Sequence, residues 1–133
     1  MPENEPRHVF VYGTLRRSAR NDINRLLPKP RYLGMGEVRG QLYLIDWYPA
    51  LMLGGETPVT VLGEVYEIVA ELEVLLDEIE QIVPGGDSEY FKRNLMIEVD
   101  GQLLECLVYE VNPKKVRGLK PLGYGDWTLF HPT

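Results

Sequence analysis

A glycine closing a β-strand, a helix crowded with carboxylates and a set of tyrosines are the parts of this sequence that could do chemistry. The first is Tyr12-Gly13-Thr14-Leu15, after a stretch rich in Val and aromatics. Glycine lets the backbone turn sharply and point successive N–H groups one way, a nest that binds an anion without a charged side chain. Arg16, Arg17 and Arg20 follow and would make the local field more positive. The plain alternative is a simple turn at Gly13 with the arginines on a solvated edge.

The second is the acidic segment holding Glu71, Glu73, Asp77, Glu78 and Glu80. Most of these must be solvated surface. At about 100° per residue, Asp77 falls opposite the apolar stripe, while Glu78 and Glu80 flank it on opposite sides. Periodicity does not choose between those two. The expected last turn of the helix leans toward Glu80, because the negative end of the dipole and partial burial both raise a carboxyl pKa. A carboxyl poised nearer neutrality suits general acid/base work.

The third set is the tyrosines, eight in all, among them Tyr43, Tyr48, Tyr66, Tyr90 and Tyr109. Each can wall a pocket and present a hydroxyl, or simply pack. Cys106 sits in an expected strand with no base beside it in sequence and reads as a small buried hydrophobe. Two His, one Cys and no ligand spacing leave no metal site. Any catalysis rests on carboxylates, hydroxyls or backbone groups.

These groups need elements to hold them. Residues 7–12 read as a first strand closed by Gly13. Residues 21–27 read as a short helix, capped by Asn21 or Asp22 and stopped before Pro28. Residues 32–45, with Gly34, Gly36 and Gly40, read as bent strands. The alternation of Val59, Val61, Gly63 and Val65 predicts a strand over 59–69. Residues 90–99 and 103–111 form a hairpin around Asp100-Gly101, a common two-residue turn pair. Leu72, Leu75, Leu76, Ile79 and Val83 recur at helical spacing and predict a helix over 71–83, stopped by Pro84-Gly85-Gly86. Residues 127–130 read as a last strand. The sum is a mixed α/β (α+β) domain with a strongly bent sheet or small barrel.

The 133 residues make one domain over 1–133, with 1–6 as a flexible tail. Apolar residues are 44% and charged residues 26%, which excludes a disordered chain. The net charge of -6 opposes nucleic-acid binding, which needs surplus cations. No apolar run approaches a membrane span. An acidic, polar N-terminus unlike a signal peptide, together with one cysteine, points to a reduced cytoplasmic setting. Oligomeric state is not legible.

Together these residues resemble the γ-glutamylcyclotransferase-like family, in particular its short bacterial and γ-glutamylamine cyclotransferase-like members. Val9-Phe10-Val11-Tyr12-Gly13-Thr14-Leu15-Arg16 looks like the family's opening strand and signature loop. Gly40-Gln41-Leu42-Tyr43, Tyr48-Pro49-Ala50-Leu51 and Gly63-Glu64-Val65-Tyr66-Glu67-Ile68 follow in the family's order. Leu76-Asp77-Glu78-Ile79-Glu80 is similar to its Leu-Asp-x-x-Glu, and Tyr90, Arg93, Val108-Tyr109 and Gly125-Asp126-Trp127 complete the pattern. Thr14 stands where longer members often have Ser followed by Asn, which favours the short branch. The likeness covers residues 8–127.

The resemblance implies a small mixed barrel with flanking helices and release of 5-oxoproline from a small γ-glutamyl compound, with no cofactor or metal. It implies that the backbone at Gly13, Thr14 and Leu15 holds the α-carboxylate, that Glu80 is the acid/base, and that Tyr12, Tyr43, Tyr90 and Tyr109 complete the substrate site. Two other readings stand beside it. One is a non-catalytic module that keeps the anion pocket for a small carboxylate or phosphate; the other is nucleic-acid binding through Arg16, Arg17 and Arg20, which the net charge opposes.

Overall fold

The computed structural model describes residues 7–17, 22–45, 48–55, 58–79 and 90–127. Its strands are β1 (Arg7–Val11), β2 (Arg31–Ile45), β3 (Tyr48–Leu53), β4 (Val59–Ile68), β5 (Tyr90–Val99) and β6 (Gln102–Val111), with one helix, α1 (Ala70–Ile79), between β4 and β5. The strands form one sheet in the order β3-β2-β4-β1-β6-β5. Only β1 and β6 run parallel; the other neighbours are antiparallel. The sheet curls into a half-barrel, the mixed architecture expected.

Side chains alternate across a strand, so the central strands feed two cores. Val9 and Val11 of β1, Tyr66 and Ile68 of β4, and Leu107, Tyr109 and Val111 of β6 join one cluster with Leu72 and Leu76 of α1. Phe10, Val61, Val65, Cys106 and Val108, one step out of phase on the same strands, join the second with Ile97 and Val99 of β5. Burial on both faces explains why Gly63, Glu64, Val65 and Tyr66 are consecutively buried.

Curling brings the concave sides of distant strands together, and glycine makes room there. A Cβ on Gly36 of β2 would lie 2.8 Å from Ile97 Cγ2 and 3.2 Å from Val65 Cγ2. Between the neighbouring strands β4 and β1 the fit is as close, for a Cβ on Gly63 would run into the Val11 carbonyl and lie 2.6 Å from the Phe10 ring. Glu110 of β6 fastens the curl from the rim, accepting from the Leu53 N–H of edge strand β3 and from Arg93 Nε of β5, each at 2.9 Å.

Several elements differ from expectation. Residues 32–45 belong to one strand, irregular only where the register shifts between Tyr32 and Gly34. The helix expected over 21–27 is a 3₁₀ turn, Ile23–Arg25. The Asp22 side chain takes the Asn24 N–H at 2.9 Å, and so short a segment cannot offset helix nucleation. The hairpin falls where expected, with Asp100 at φ 52° and Gly101 at φ 80°, both left-handed as a tight two-residue turn requires. Trp127 is helical and buried rather than the start of a last strand. It follows Gly125, whose carbonyl accepts the Leu62 N–H at 2.8 Å and anchors this segment to β4. Residues 128–130, the tail 1–6 and the end of the expected helix at 80–83 lie outside the described residues.

Candidate functional site

The chain leaves β1 at Val11, opposite Glu64 of β4. It then turns over Gly13–Arg16, with the Arg16 N–H donating to the Gly13 carbonyl at 3.0 Å. The Leu15 carbonyl accepts from the Ile23 N–H at 2.9 Å. Gly13 does not have positive φ. What forbids a side chain is proximity to β3, since a Cβ would lie 2.5 Å from Pro49 Cγ. Among the described residues none accepts a hydrogen bond from the Leu15 N–H.

Arg16 does not stand on the open positive edge that the sequence allowed, whereas Arg17 is exposed. Arg16 is buried, donating from Nε to Glu64 at 3.0 Å and from Nη1 to Asp126 at 2.8 Å. Glu64, itself buried, also accepts from the Arg17 backbone N–H and the Tyr66 hydroxyl, both at 2.8 Å. Asn24 Nδ2 donates to that hydroxyl at 3.1 Å. Burial, reinforced by the bond to Glu64, raises the Tyr66 pKa far above its ordinary value. The Arg17 guanidinium lies over the Tyr32 ring, 4.5 Å from its centre. Arg20 lies outside the described residues.

The four tyrosines are placed differently. Tyr90 and Tyr109 join Leu15, Leu72 and Leu76 in one core cluster, and Tyr43 packs against it. Tyr12 belongs to the other cluster. Its hydroxyl donates to the Tyr109 carbonyl at 2.8 Å and accepts from the Leu51 N–H at 3.3 Å, joining β1 to β6 and β3. The Tyr90 hydroxyl donates at 3.0 Å to the carbonyl of Pro49, the residue that Gly13 packs against. The Tyr109 hydroxyl donates to Asp77 Oδ1 at 2.7 Å. These three hydroxyls donate to protein acceptors, which fixes the rings in place.

Asp77 was expected to face solvent, yet it ties α1 to the sheet. Besides Tyr109 it accepts from Lys92 Nζ at 3.0 Å, and Lys92 also bonds Glu73 one turn earlier on the helix. The curl carries β5 and β6 up the flank of α1, so a residue off the apolar stripe still meets strand side chains. Burial disfavours the Lys92 ammonium, but the bonds to Glu73 and Asp77 outweigh it, and its pKa is raised. Glu80, one residue past the end of α1, lies outside the described residues.

Cys106 is buried, and burial, with Glu105 adding to it, pushes its thiol up to about 11, which suits packing rather than attack. Among the described residues no group of His, Cys, Asp or Glu could hold a metal ion, and no helix is long and apolar enough to cross a membrane.

Sequence reasoning missed Glu64 and Asp126 as holders of the signature loop. A charged residue in the consecutively apolar middle of a central strand, with an arginine directly after the loop, was the signal available for the first. Asp126 stood in a quoted motif but had no visible partner.

Residues 9–129 match the family described as γ-glutamyl cyclotransferase, AIG2-like. A protein of Halalkalibacterium halodurans, provisionally named a γ-glutamylcyclotransferase, is 39% identical over 84 residues, spanning 61% of this chain and 73% of the relative. Among solved structures, YkqA from Bacillus subtilis superposes with a TM-score of 0.73 at 25% identity over 94% of this chain. The chain spans only 40% of YkqA's length. An AIG2-like protein from Mus musculus superposes at TM-score 0.69 and 23% identity, covering 92% of this chain and 88% of its own, a likeness of fold.

Proposed function

The chain belongs to the AIG2-like γ-glutamyl cyclotransferase family, and from that premise we propose that it releases 5-oxoproline from a small γ-glutamyl amine, peptide or related amide. The substrate carries its own nucleophile. Its α-ammonium loses a proton to the Glu80 carboxylate, and the free amine attacks the γ-carbonyl and closes a five-membered ring. The C–N bond to the leaving amine then breaks as Glu80 returns that proton to the departing nitrogen, while the ring nitrogen gives up its surplus proton to the vacated carboxylate and on to the free amine, so that the lactam keeps one N–H and the amine leaves as an ammonium ion. One carboxyl serves these transfers, and no cofactor enters.

The main demand on the protein is geometric, because the glutamyl chain must be held folded back on itself. Correct placement of reacting groups is worth about 7–11 kcal/mol in favourable cases. In this reading the backbone at Gly13, Thr14 and Leu15 grips the α-carboxylate, while Tyr43, Tyr90 and Tyr109 wall the glutamyl chain. Tyr12 supports the wall from behind through the Tyr109 carbonyl. The observation that carries the reading is the shared cluster of Leu15, Tyr90 and Tyr109 with Leu72 and Leu76 of the helix that leads to Glu80.

The test is incubation with a panel of γ-glutamyl amines and γ-glutamyl dipeptides, with 5-oxoproline and the free amine measured together. Stoichiometric release of both is expected from at least one class. Thermal stabilisation by the panel with no product would instead establish a binding module.

A further inference from the structure

The signature loop is held by a carboxylate buried behind it. Glu64 projects from the face of β4 that also carries Tyr66 and Ile68, and its side chain is 8% exposed. It accepts from Arg16 Nε, the Arg17 backbone N–H and the Tyr66 hydroxyl. The first two lie just past the Thr14 and Leu15 amides. On the other side Gly13 rests against Pro49. The turn is therefore clamped at both ends, with its two central amides between. A buried carboxylate is costly unless it is paired and hydrogen-bonded, and here each bond directed at the loop also spends that cost on fixing the loop's direction.

We propose that Glu64 is a positioning residue for the substrate's α-carboxylate: it aims the Thr14–Leu15 amides by holding Arg16 and the Arg17 N–H, with Asp126 as the second hold on Arg16. The inference rests on the reading that those amides receive that carboxylate. In this role Glu64 acts through the loop and not on the reacting atoms. Its removal therefore weakens binding in ground and transition states alike, raising KM and leaving kcat nearly intact. A purely structural role gives the opposite pattern, because unfolded protein lowers the apparent kcat while the folded remainder keeps its KM.

Glu64→Gln keeps the shape but sets an amide N–H against the Arg16 guanidinium or the Arg17 N–H. Turnover of a γ-glutamyl amine and calorimetric binding of L-glutamate are measured on wild type and variant. The expected result is a rise in KM or Kd of tenfold or more, about 10-fold per lost charge-assisted bond of 1.4 kcal/mol, with kcat within about threefold. Arg16→Lys, which keeps the charge but cannot span both Glu64 and Asp126, is expected to shift KM the same way by a smaller factor, and it decides the matter if Glu64→Gln does not fold. A wild type that turns over substrate, with variant KM unchanged, overturns the inference and leaves the ring-closing reading standing. A wild type that neither binds L-glutamate nor releases 5-oxoproline overturns both.

Discussion

Gly13 illustrates how a residue can be legible in sequence for one reason and required for another. A strand-ending glycine reads as a sharp turn, but the space it leaves is filled by the Pro49 ring. Gly13→Ala is expected to push Pro49 away, and with it the carbonyl that accepts the Tyr90 hydroxyl. Overpacking of this kind costs about 1–3 kcal/mol, so the variant should unfold at lower denaturant and show a raised KM. Unchanged stability and KM would show that the contact yields freely. The loop was visible because its residue types sit in an unusual order. The clamp behind it was not, because Glu64 and Arg16 lie 48 positions apart and only strand pairing joins them. The tyrosines were legible as residues that carry hydroxyls, but pairing alone decides which acceptor each hydroxyl meets.

Between elements, the contact that matters for the site is the one that fixes α1 against the β5–β6 hairpin. Helical period and a two-residue turn announced both elements, since those signals are local. Their docking was hidden, because Lys92, Asp77 and Glu73 become neighbours only when the sheet curls. Lys92→Met should cost about 1 kcal/mol at neutral pH, the range of a partly buried ion pair, and leave α1 less firmly held. The pH dependence has a definite sign. The folded-state pKa of Lys92 is raised by Glu73 and Asp77 against the pull of burial. Its stabilisation is therefore present in full below the ordinary lysine range and is lost as pH climbs through the raised value. The Tm gap between wild type and Lys92→Met should be constant up to about pH 9 and close above about pH 10.5. A gap that persists at alkaline pH would show that the lysine acts through packing of its stem.

For the whole molecule, curvature is the property that brings Leu15 of the loop, Tyr90, Tyr109 and α1 into one cluster. The glycines of β2 were read as marking bent strands, and two of them let one continuous strand bend: a Cβ on Gly34 or Gly36 would meet Val99 or Ile97 of β5 at 2.7 and 2.8 Å. Gly36→Val is expected to force the two strands apart and cost about 1–3 kcal/mol, with the Tm falling by several degrees. An undiminished Tm would mean that the concave side has slack. Fold class followed from composition and strand count, whereas closure did not, because it depends on which strands approach across the curl. Charge also acts at this scale. With a net -6 and Arg16 held by Glu64 and Asp126, the proposed activity asks geometry of that arginine rather than a field.

That geometry has one purpose in this account, the closing of a glutamyl chain into a lactam with a single carboxyl moving the protons. The most direct measurement is the rate of 5-oxoproline release by Glu80→Gln beside the wild type, on a γ-glutamyl amide that the wild type consumes. A fall in kcat of about 10²–10⁴-fold is expected, with the variant still folded and KM little changed. A variant that releases 5-oxoproline as fast as the wild type would contradict it.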